Sequence, residues 1–247
     1  MKKILFIFLS IVSFVSLGLS TNAYSYYNEF GEYEIDITSS IIDIYPVQKS
    51  TNFPSYSVGD EFYNPSLGVT YRIEEVQTPR GNSVIVFRAL NEMNSNLINQ
   101  INYEFDMSFP NASRISTASA KYNCHSFAWY RQDTSNPFWM NDPSEYYNDN
   151  SYVESTGRIG DIICYYDRNG TNIHSGVVIS RLQGPSNNVC GDSDLVTVES
   201  KWGAAGLYQH RGDQCPYTNP YGGVASYVKY FTRRPTHNHH YTIYDNY

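Results

Sequence analysis

The chain has 247 residues, a formal net charge of -7 and only 17% charged residues. This acidic balance offers no basic patch that could displace counterions from a phosphate backbone, so nucleic acid is excluded as a partner. Tyrosine is frequent, with 24 residues. Together these features are typical of an extracellular β-rich protein with amphipathic aromatic surfaces.

Residues 1–25 carry the pattern of a secretory signal peptide. Lys2 and Lys3 precede an unbroken apolar run, which gives way to small and polar residues. Cleavage is expected after Ala23 or Ser25, and it leaves about 220 residues, enough for one large domain or two small ones. The apolar run is short for a membrane span and has no basic stop-transfer flank. We therefore predict a secreted protein without stable membrane insertion.

Residues 26–108 are predicted to form a β-rich region. Two alternating segments, VTYRIEEV and SVIVFRAL, are separated by the turn TPRGN. No cluster of titratable residues stands out in this region. Its role stays open between a wall-anchoring or carbohydrate-binding module, a propeptide that covers a cleft, and a part of the scaffold.

The segment YNCHSFAWY places a cysteine at the start of a predicted helix. Asn123 is a good N-cap, which puts Cys124 at the first helical position. Cys124, Phe127 and Ala128 then share a face that packs inward. A free thiol has a pKa of about 8.5, and both a helix N-terminus and a nearby imidazolium favour its thiolate. Cys124 is therefore the candidate nucleophile.

Several strands follow this helix. GDIICYY and TNIHSGVVIS form a predicted β-hairpin through the turn DRNG. DLVTVESKW alternates, with Val196 and Val198 on one side and Glu199 on the other. A last strand is predicted in GGVASYVKYFTRR. The tail, residues 235–247, is polar and holds three of the six histidines, which indicates a solvated segment rather than a metal site.

The four cysteines are too widely spaced for a zinc site, which normally draws two ligands from one tight turn. No metal ion and no other cofactor is predicted. Cys190 and Cys215 lie in polar, turn-rich loops, which suits a disulfide in an exported protein. Cys164, inside the apolar run DIICYY, is predicted to be a buried thiol. Cys124 is left over.

His174 is the candidate catalytic imidazole, because it lies at the start of a strand where a rigid edge can present the ring to a helix. His125 follows Cys124 by about 100° around the helix, so its side chain points away from the thiol. His210, in the loop GLYQHRGDQC, is the reserve candidate. A catalytic imidazole needs a partner that holds its tautomer, and Glu199 can reach it if its strand neighbours the hairpin.

These segments resemble the papain-like superfamily of bacterial peptidoglycan hydrolases, specifically the CHAP and NlpC-type amidase and peptidase families. NCHSFAWY resembles their cysteine-helix segment, and GDIICYYDRNGTNIHSGVVIS resembles their GD strand followed by H-x-G/A-V-V. VTVESKW resembles the glutamate strand of the CHAP type. The resemblance covers residues 115–235. It departs from the CHAP pattern at Lys201, where those domains often carry an asparagine two residues after the glutamate.

The resemblance implies an α+β fold with a papain-like core over residues 109–234, in which the nucleophile helix packs on an antiparallel β-sheet. It implies Cys124 as nucleophile, His174 as general base and then acid, and Glu199 as the residue that orients the imidazole. The backbone N–H of Cys124 would contribute to an oxyanion hole. The implied protein is a secreted or cell-wall associated cysteine peptidase or amidase that cleaves peptide stems or crosslinks of peptidoglycan.

Two other functions stay open. The same thiol could pass its acyl group to an amine instead of water, as a transglutaminase-like acyl transferase does. The chain could also be a non-catalytic exported binding or adhesion module. A Cys124–Cys164 bridge would favour the module, whereas a Cys190–Cys215 bridge with two free thiols would favour the enzyme.

Overall fold

The computed structural model describes residues 25–27, 33–35, 57–186, 188 and 190–235. These residues form a strand-rich α+β fold with antiparallel sheets, as the sequence predicts at this level. All of the predicted signal segment except Ser25, and all of the predicted tail except Pro235, lie outside the described residues. No helix within the described part is long and apolar enough to cross a bilayer.

Strands account for most of the regular structure in the described ranges. In chain order they are β1 (Ser25–Tyr27), β2 (Tyr33–Ile35), β3 (Glu61–Asn64), β4 (Val69–Gln77), β5 (Ser83–Ala89), β6 (Ser113–Ser116), β7 (Phe138–Trp139), β8 (Tyr152–Ser155), β9 (Ile162–Tyr166), β10 (Asn172–Arg181), β11 (Val196–Lys201), β12 (Leu207–Arg211) and β13 (Tyr227–Arg233). The α-helices are α1 (Ser95–Ser108) and α2 (Glu145–Asn148), and a π-helical segment spans Ser126–Tyr130. Short 3-10 turns occupy Ser193–Leu195 and Asn219–Tyr221.

The strands assemble into three sheets. β1 and β2 pair with each other, and a four-stranded sheet has the order β3-β4-β5-β7. The largest sheet has seven strands in the order β6-β12-β11-β10-β9-β13-β8. Its centre contains the predicted hairpin, in which Ser175 of β10 pairs with Cys164 of β9. The predicted last strand is β13, which lies beside β9.

One face of the seven-stranded sheet packs against the π-helical segment. Because successive side chains of a strand point to opposite faces, Ile162, Cys164 and Val177 share this side. They lie in one buried cluster with Phe127 and Ala128. We call this side the π-helix face.

The opposite face packs against α1. Tyr165 of β9 and Val198 of β11 lie there in a second buried cluster with Phe105 of α1 and Trp202. The Trp202 ring stacks on Tyr208 of β12, with 4.0 Å between their centroids. We call this side the α1 face.

The predicted regions 26–108 and 109–234 are packed together across their boundary. β7, from the second region, extends the sheet of the first, with Trp139 opposite Phe87. Tyr71 of β4 donates a hydrogen bond from its hydroxyl to Ala120 O at 2.9 Å, just before the cysteine helix. β4 and β5 therefore contact the segments on either side of the cysteine helix.

Two elements differ from the sequence-based expectation. Residues 95–108 form the longest helix among the described residues, although no helix is predicted there. His210, predicted to lie in a loop, belongs to β12 and pairs with Val198 of β11. Pairing with β11, a central strand of the sheet, gives the backbone of this segment its hydrogen-bond partners and so orders it.

Candidate active site

The helix that presents Cys124 begins as the sequence predicts. The chain is helical from Cys124, and the Asn123 side chain accepts the backbone N–H of Ser126 at 3.1 Å, which caps the first turn. The helix then widens, because Arg131 N donates to Ser126 O five residues back. The prediction of Asn123 as N-cap and Cys124 as first helical residue is confirmed.

The Cys124 thiol is almost fully buried, with 4% of the residue exposed. Burial raises the pKa of the thiol to about 11. Backbone N–H groups of Ser175, His125 and Cys124 itself oppose this shift, as does the positive charge of Lys201. The sulfur therefore lies among donors that favour its thiolate, but desolvation outweighs them.

The strand arrangement explains why a backbone N–H of β10 is available to this sulfur. β10 pairs with β9 from Asn172 to Val177, whereas it pairs with β11 only from Val177 onward. The first half of β10 thus has one edge without a β11 partner. The Ser175 N–H acts on Cys124 from this part of the strand.

The structure does not form the predicted hydrogen-bonded pair of Cys124 and His174. His174 pairs with Tyr165 across β9 and β10, so its side chain points to the α1 face. There the ring stacks on Tyr217, with centroids 3.8 Å apart and planes 10° from parallel. Neither ring nitrogen has a hydrogen-bond partner within the described residues. Burial lowers the pKa of His174 well below its usual range, so the ring is neutral.

The main chain of His174 nevertheless lies beside the sulfur. The N–H that acts on Cys124 belongs to the peptide group that joins His174 to Ser175. The His174 side chain branches from the residue next to this N–H, but its ring points to the opposite face of the sheet. The structure therefore brings the His174 backbone, but not its imidazole, to Cys124.

Glu199 does not reach the His174 ring. β11 does neighbour β10, but the register places Glu199 opposite Val177. Val177 belongs to the π-helix face, and directly paired residues share a face. The carboxylate and the imidazole are therefore on opposite sides of the sheet. The expectation that Glu199 orients His174 is not met, because Val177 lies three positions after His174 and an odd spacing reverses the side.

Ser175 links several polar groups beneath the helix. Its hydroxyl lies 2.9 Å from His125 Nδ1, 3.0 Å from Trp129 Nε1 and 3.4 Å from Asn172 Nδ2. The indole and amide nitrogens can only donate, so the hydroxyl accepts from both. Burial lowers the pKa of His125 to about 4, so its ring is neutral.

Lys201, at the end of β11, is a buried cation that the sequence did not indicate as functional. It is fully buried, and its Nζ donates to three backbone carbonyls, those of Ser119, Gly203 and Ala205. Nζ also lies 5.0 Å from the centre of the Tyr122 ring. Burial lowers the pKa of Lys201 to about 7, while negative charge at Glu92 and Cys124 opposes that shift. The only sequence signal was its departure from the asparagine of the CHAP pattern.

His210, the reserve candidate, is on the α1 face with Trp202. Its Nε2 lies 2.8 Å from the Ser200 hydroxyl, and its Nδ1 lies 2.8 Å from Arg211 O. A carbonyl can only accept, so the Nδ1 proton is fixed and Nε2 accepts from the serine. Burial lowers the pKa of His210 to about 4. Both nitrogens are used, which is typical of a structural histidine.

The four cysteines form two pairs of neighbours, Cys190 with Cys215 and Cys124 with Cys164. Cys190 and Cys215 lie in the same buried cluster, and each thiol is buried. Cys164 is fully buried in β9, as predicted, with its sulfur 3.7 Å from the Ser175 hydroxyl. All four are free thiols in the structure. Within the described residues, no group of three or more acidic, cysteine or histidine side chains is placed to hold a metal ion.

No protein-family model, curated protein or solved structure matches this chain. The likeness to papain-like hydrolases therefore rests on the cysteine, GD and histidine segments of the sequence, and it stays a prediction.

Proposed function

We propose that the protein is an exported, cysteine-dependent hydrolase of amide bonds, with a papain-like core and Cys124 as its nucleophile. One observation carries the proposal. A capped helix start holds the thiol where three backbone N–H groups and a buried ammonium all favour its thiolate. Donors that stabilise a sulfur anion are a feature of nucleophilic cysteines, and here they act against the burial that raises the pKa of the thiol.

The reaction follows from this position. The Cys124 thiolate attacks the carbonyl carbon of the scissile amide, and the carbonyl oxygen takes up the negative charge. The backbone N–H of Cys124, at the positive end of the helix, is the donor that we assign to this oxygen. Collapse breaks the C–N bond, and the leaving nitrogen takes a proton. Water then cleaves the thioester, which restores the thiol and releases the acid.

We assign the proton transfers to His174. Its main chain is next to the sulfur, and its stacked position on Tyr217 leaves both ring nitrogens without a partner among the described residues. Buried polar groups are normally bonded, so this position does not satisfy the imidazole. A change of χ1 would turn the ring from the α1 face towards the open edge of β10, where the thiol lies. The rotamer in which His174 transfers protons is therefore different from the rotamer that is stacked on Tyr217.

The proposed substrate is the peptide part of peptidoglycan, in stems or crosslinks. This choice is supported by the likeness of the cysteine, GD and histidine segments to bacterial wall hydrolases, and by the predicted export signal. We assign Glu199 no part in the proton transfer, because its strand register places it opposite Val177 and not opposite His174.

The test compares the mature protein with Cys124→Ala on purified peptidoglycan and on a protein substrate, with mass spectrometry of the products. Wild type is expected to release peptides with new amino and carboxyl ends, and Cys124→Ala is expected to release none. Cys164→Ala, which removes a thiol from β9, is the matched control and should retain activity. Full hydrolysis by Cys124→Ala would rule out the proposal. Added amine separates hydrolysis from acyl transfer, because only acyl transfer yields amine adducts.

A second candidate, the non-catalytic module, is favoured by one observation. Cys124 and Cys164 are both buried, and the Cys124 thiol is close enough to raise the pKa of the Cys164 thiol. A bridge between them would remove the nucleophile. Alkylation of Cys124 in the folded, unreduced protein excludes this candidate.

A further inference from the structure

We propose that the ammonium of Lys201 is the positive charge that stabilises the Cys124 thiolate. This inference rests on the proposed function, since it assigns a second residue to the same nucleophile. Lys201 acts through the thiol and does not itself transfer a proton, so it is a positioning residue.

The hydrogen bonds of Lys201 show which form of the side chain the site is built for. An ammonium has three donors and no acceptor. Nζ donates to Ser119 O at 2.9 Å, to Gly203 O at 2.7 Å and to Ala205 O. Three carbonyl oxygens match three N–H bonds, whereas a neutral amine would direct a lone pair at one of the carbonyls. The charged form is therefore the one that fits.

The same bonds exclude Lys201 as a general base or acid. A base needs a free lone pair, and an acid needs a proton that is free to leave towards the substrate. All three N–H bonds point at backbone carbonyls, and Tyr122 lies against the charge at 5.0 Å. The group is held in place as a point charge.

The Lys201 charge contacts residues that lie just before the nucleophile in the chain. Tyr122 is two residues before Cys124, and Ser119 lies in the segment that leads into the helix. Lys201, at the end of β11, thus binds the segment that leads into the helix. Its charge favours the thiolate of Cys124, and the thiolate in turn favours the ammonium.

The other ionisable groups near the pair do not replace Lys201. Cys164 on β9 carries no positive charge, and the negative charge of Cys124 raises the pKa of its thiol. His125 is neutral, with its Nδ1 bound to Ser175. Glu92 favours the ammonium and accepts hydrogen bonds from Ser119 Oγ and Ala120 N, at 2.7 and 2.8 Å. Lys201 is the cation in this set, while the His174 ring is stacked on the other face.

The experiment measures the reactivity of the Cys124 thiol directly. The mature protein, Lys201→Met and Lys229→Met are treated with iodoacetamide from pH 5 to pH 10, and the Cys124 peptide is quantified by mass spectrometry. Lys201→Met keeps the length of the side chain and removes the charge. Lys229 is exposed and pairs with Glu154, so Lys229→Met controls for the loss of a lysine.

Lys201→Met is expected to slow the alkylation of Cys124 by at least about tenfold at each pH in this range, as a rise of about one unit in the pKa of the thiol would. Lys229→Met should stay within about twofold of wild type, because an exposed charge is screened. A folded Lys201→Met protein with the wild-type profile would overturn the proposal. Folding is checked by circular dichroism and by a cooperative urea transition.

If Lys201→Met does not fold, the reciprocal measurement decides. Coupling between two sites is mutual, so Cys124 must affect Lys201 as much as Lys201 affects Cys124. The Lys201 side chain is followed by NMR with ¹³Cε-labelled lysine across the pH range in wild type and in Cys124→Ala. A lower titration midpoint in Cys124→Ala supports the proposal, and equal midpoints overturn it.

The alkylation and NMR measurements need no substrate, so their results do not depend on whether the protein is a hydrolase. Absence of hydrolysis together with a shifted alkylation profile would remove the enzyme and keep the charge pair. Hydrolysis that depends on Cys124, together with an unshifted profile, would keep the enzyme and remove the role of Lys201.

Discussion

The side chain of Asn123 forms a two-point hydrogen-bonded pair with the main chain of Met140. Asn123 Nδ2 donates to Met140 O at 2.7 Å, and Oδ1 accepts from Met140 N at 3.1 Å. The same oxygen caps the helix by accepting from Ser126 N. One buried amide therefore joins the start of the cysteine helix to the end of β7, and it fixes the residue just before the candidate nucleophile.

Replacement of Asn123 by alanine is expected to lower the free energy of unfolding by about 3 kcal/mol, because it removes a cap and leaves both main-chain groups of Met140 unpaired in a buried site. Asn94→Ala is the matched control. Asn94 caps α1 through a single bond to Leu97 N, in an exposed position, and should cost about 1 kcal/mol. Urea unfolding measures both values. Equal losses would show that the pair with Met140 adds nothing.

Local sequence signals were sufficient where neighbouring residues decide the structure. Asn123 as a cap, the β9–β10 hairpin and the side shared by Val196 and Val198 all follow from residue type and spacing. α1 offered a similar signal that was missed, because Asn94 caps a run with Leu97, Ile101 and Phe105 at helical spacing. That pattern could have been recognised.

The site could not be predicted to the same degree, because its geometry depends on strand register. A register irregularity occurs in β10 between Asn172 and His174, and it sets which face the imidazole occupies. A shift by one residue reverses every side chain of a strand, and nothing in the local sequence reports the pairing partner. The same limit explains Glu199, which was placed on the correct strand but on the other face from His174.

Ser175→Ala is predicted to destabilise the fold by about 3 kcal/mol. It leaves the indole N–H of Trp129 and the Nδ1 of His125 without their partner in a fully buried position. Ser180→Ala, on the exposed part of the same strand, removes one bond to Thr197 and should change the stability by less than about 0.5 kcal/mol. Urea midpoints compare the two. A small effect of Ser175→Ala would mean that other groups satisfy these nitrogens.

The pattern of cysteine oxidation separates the enzyme from the module. We expect exported, unreduced protein to contain a Cys190–Cys215 bridge, since both thiols lie in one buried cluster and are close enough for one to act on the pKa of the other. Cys124 and Cys164 should remain free. Digestion without reductant, followed by mass spectrometry, identifies the bridge.

The bridge should also stabilise the fold. Closure of the chain between Cys190 and Cys215 is expected to contribute about 3 kcal/mol, which reduction would remove. Cys190→Ala in the oxidised protein should reproduce the loss. A Cys124–Cys164 bridge in the same digest would contradict the expectation and favour the module.

Three buried, neutral histidines predict a loss of stability in mild acid. Burial lowers the pKa of His125 and of His210 to about 4, and lowers the pKa of His174 well below its usual range. In the unfolded chain each titrates near its ordinary value of about 6.5. Between pH 6.5 and pH 4 the unfolded state therefore binds more protons than the folded state, so the stability present above pH 6.5 is lost as the pH falls.

Three such groups give a slope of up to about 4 kcal/mol per pH unit near pH 5, since each proton contributes about 1.4 kcal/mol. Urea unfolding at pH 7.5, 6.5, 5.5 and 5.0 measures it. His210→Gln is the diagnostic variant, because an amide can still bond to Ser200 and to Arg211 O but cannot take up a proton. Its slope should be smaller by about one third. A wild-type slope in that variant would show that His210 is not among the groups whose protonation drives acid unfolding.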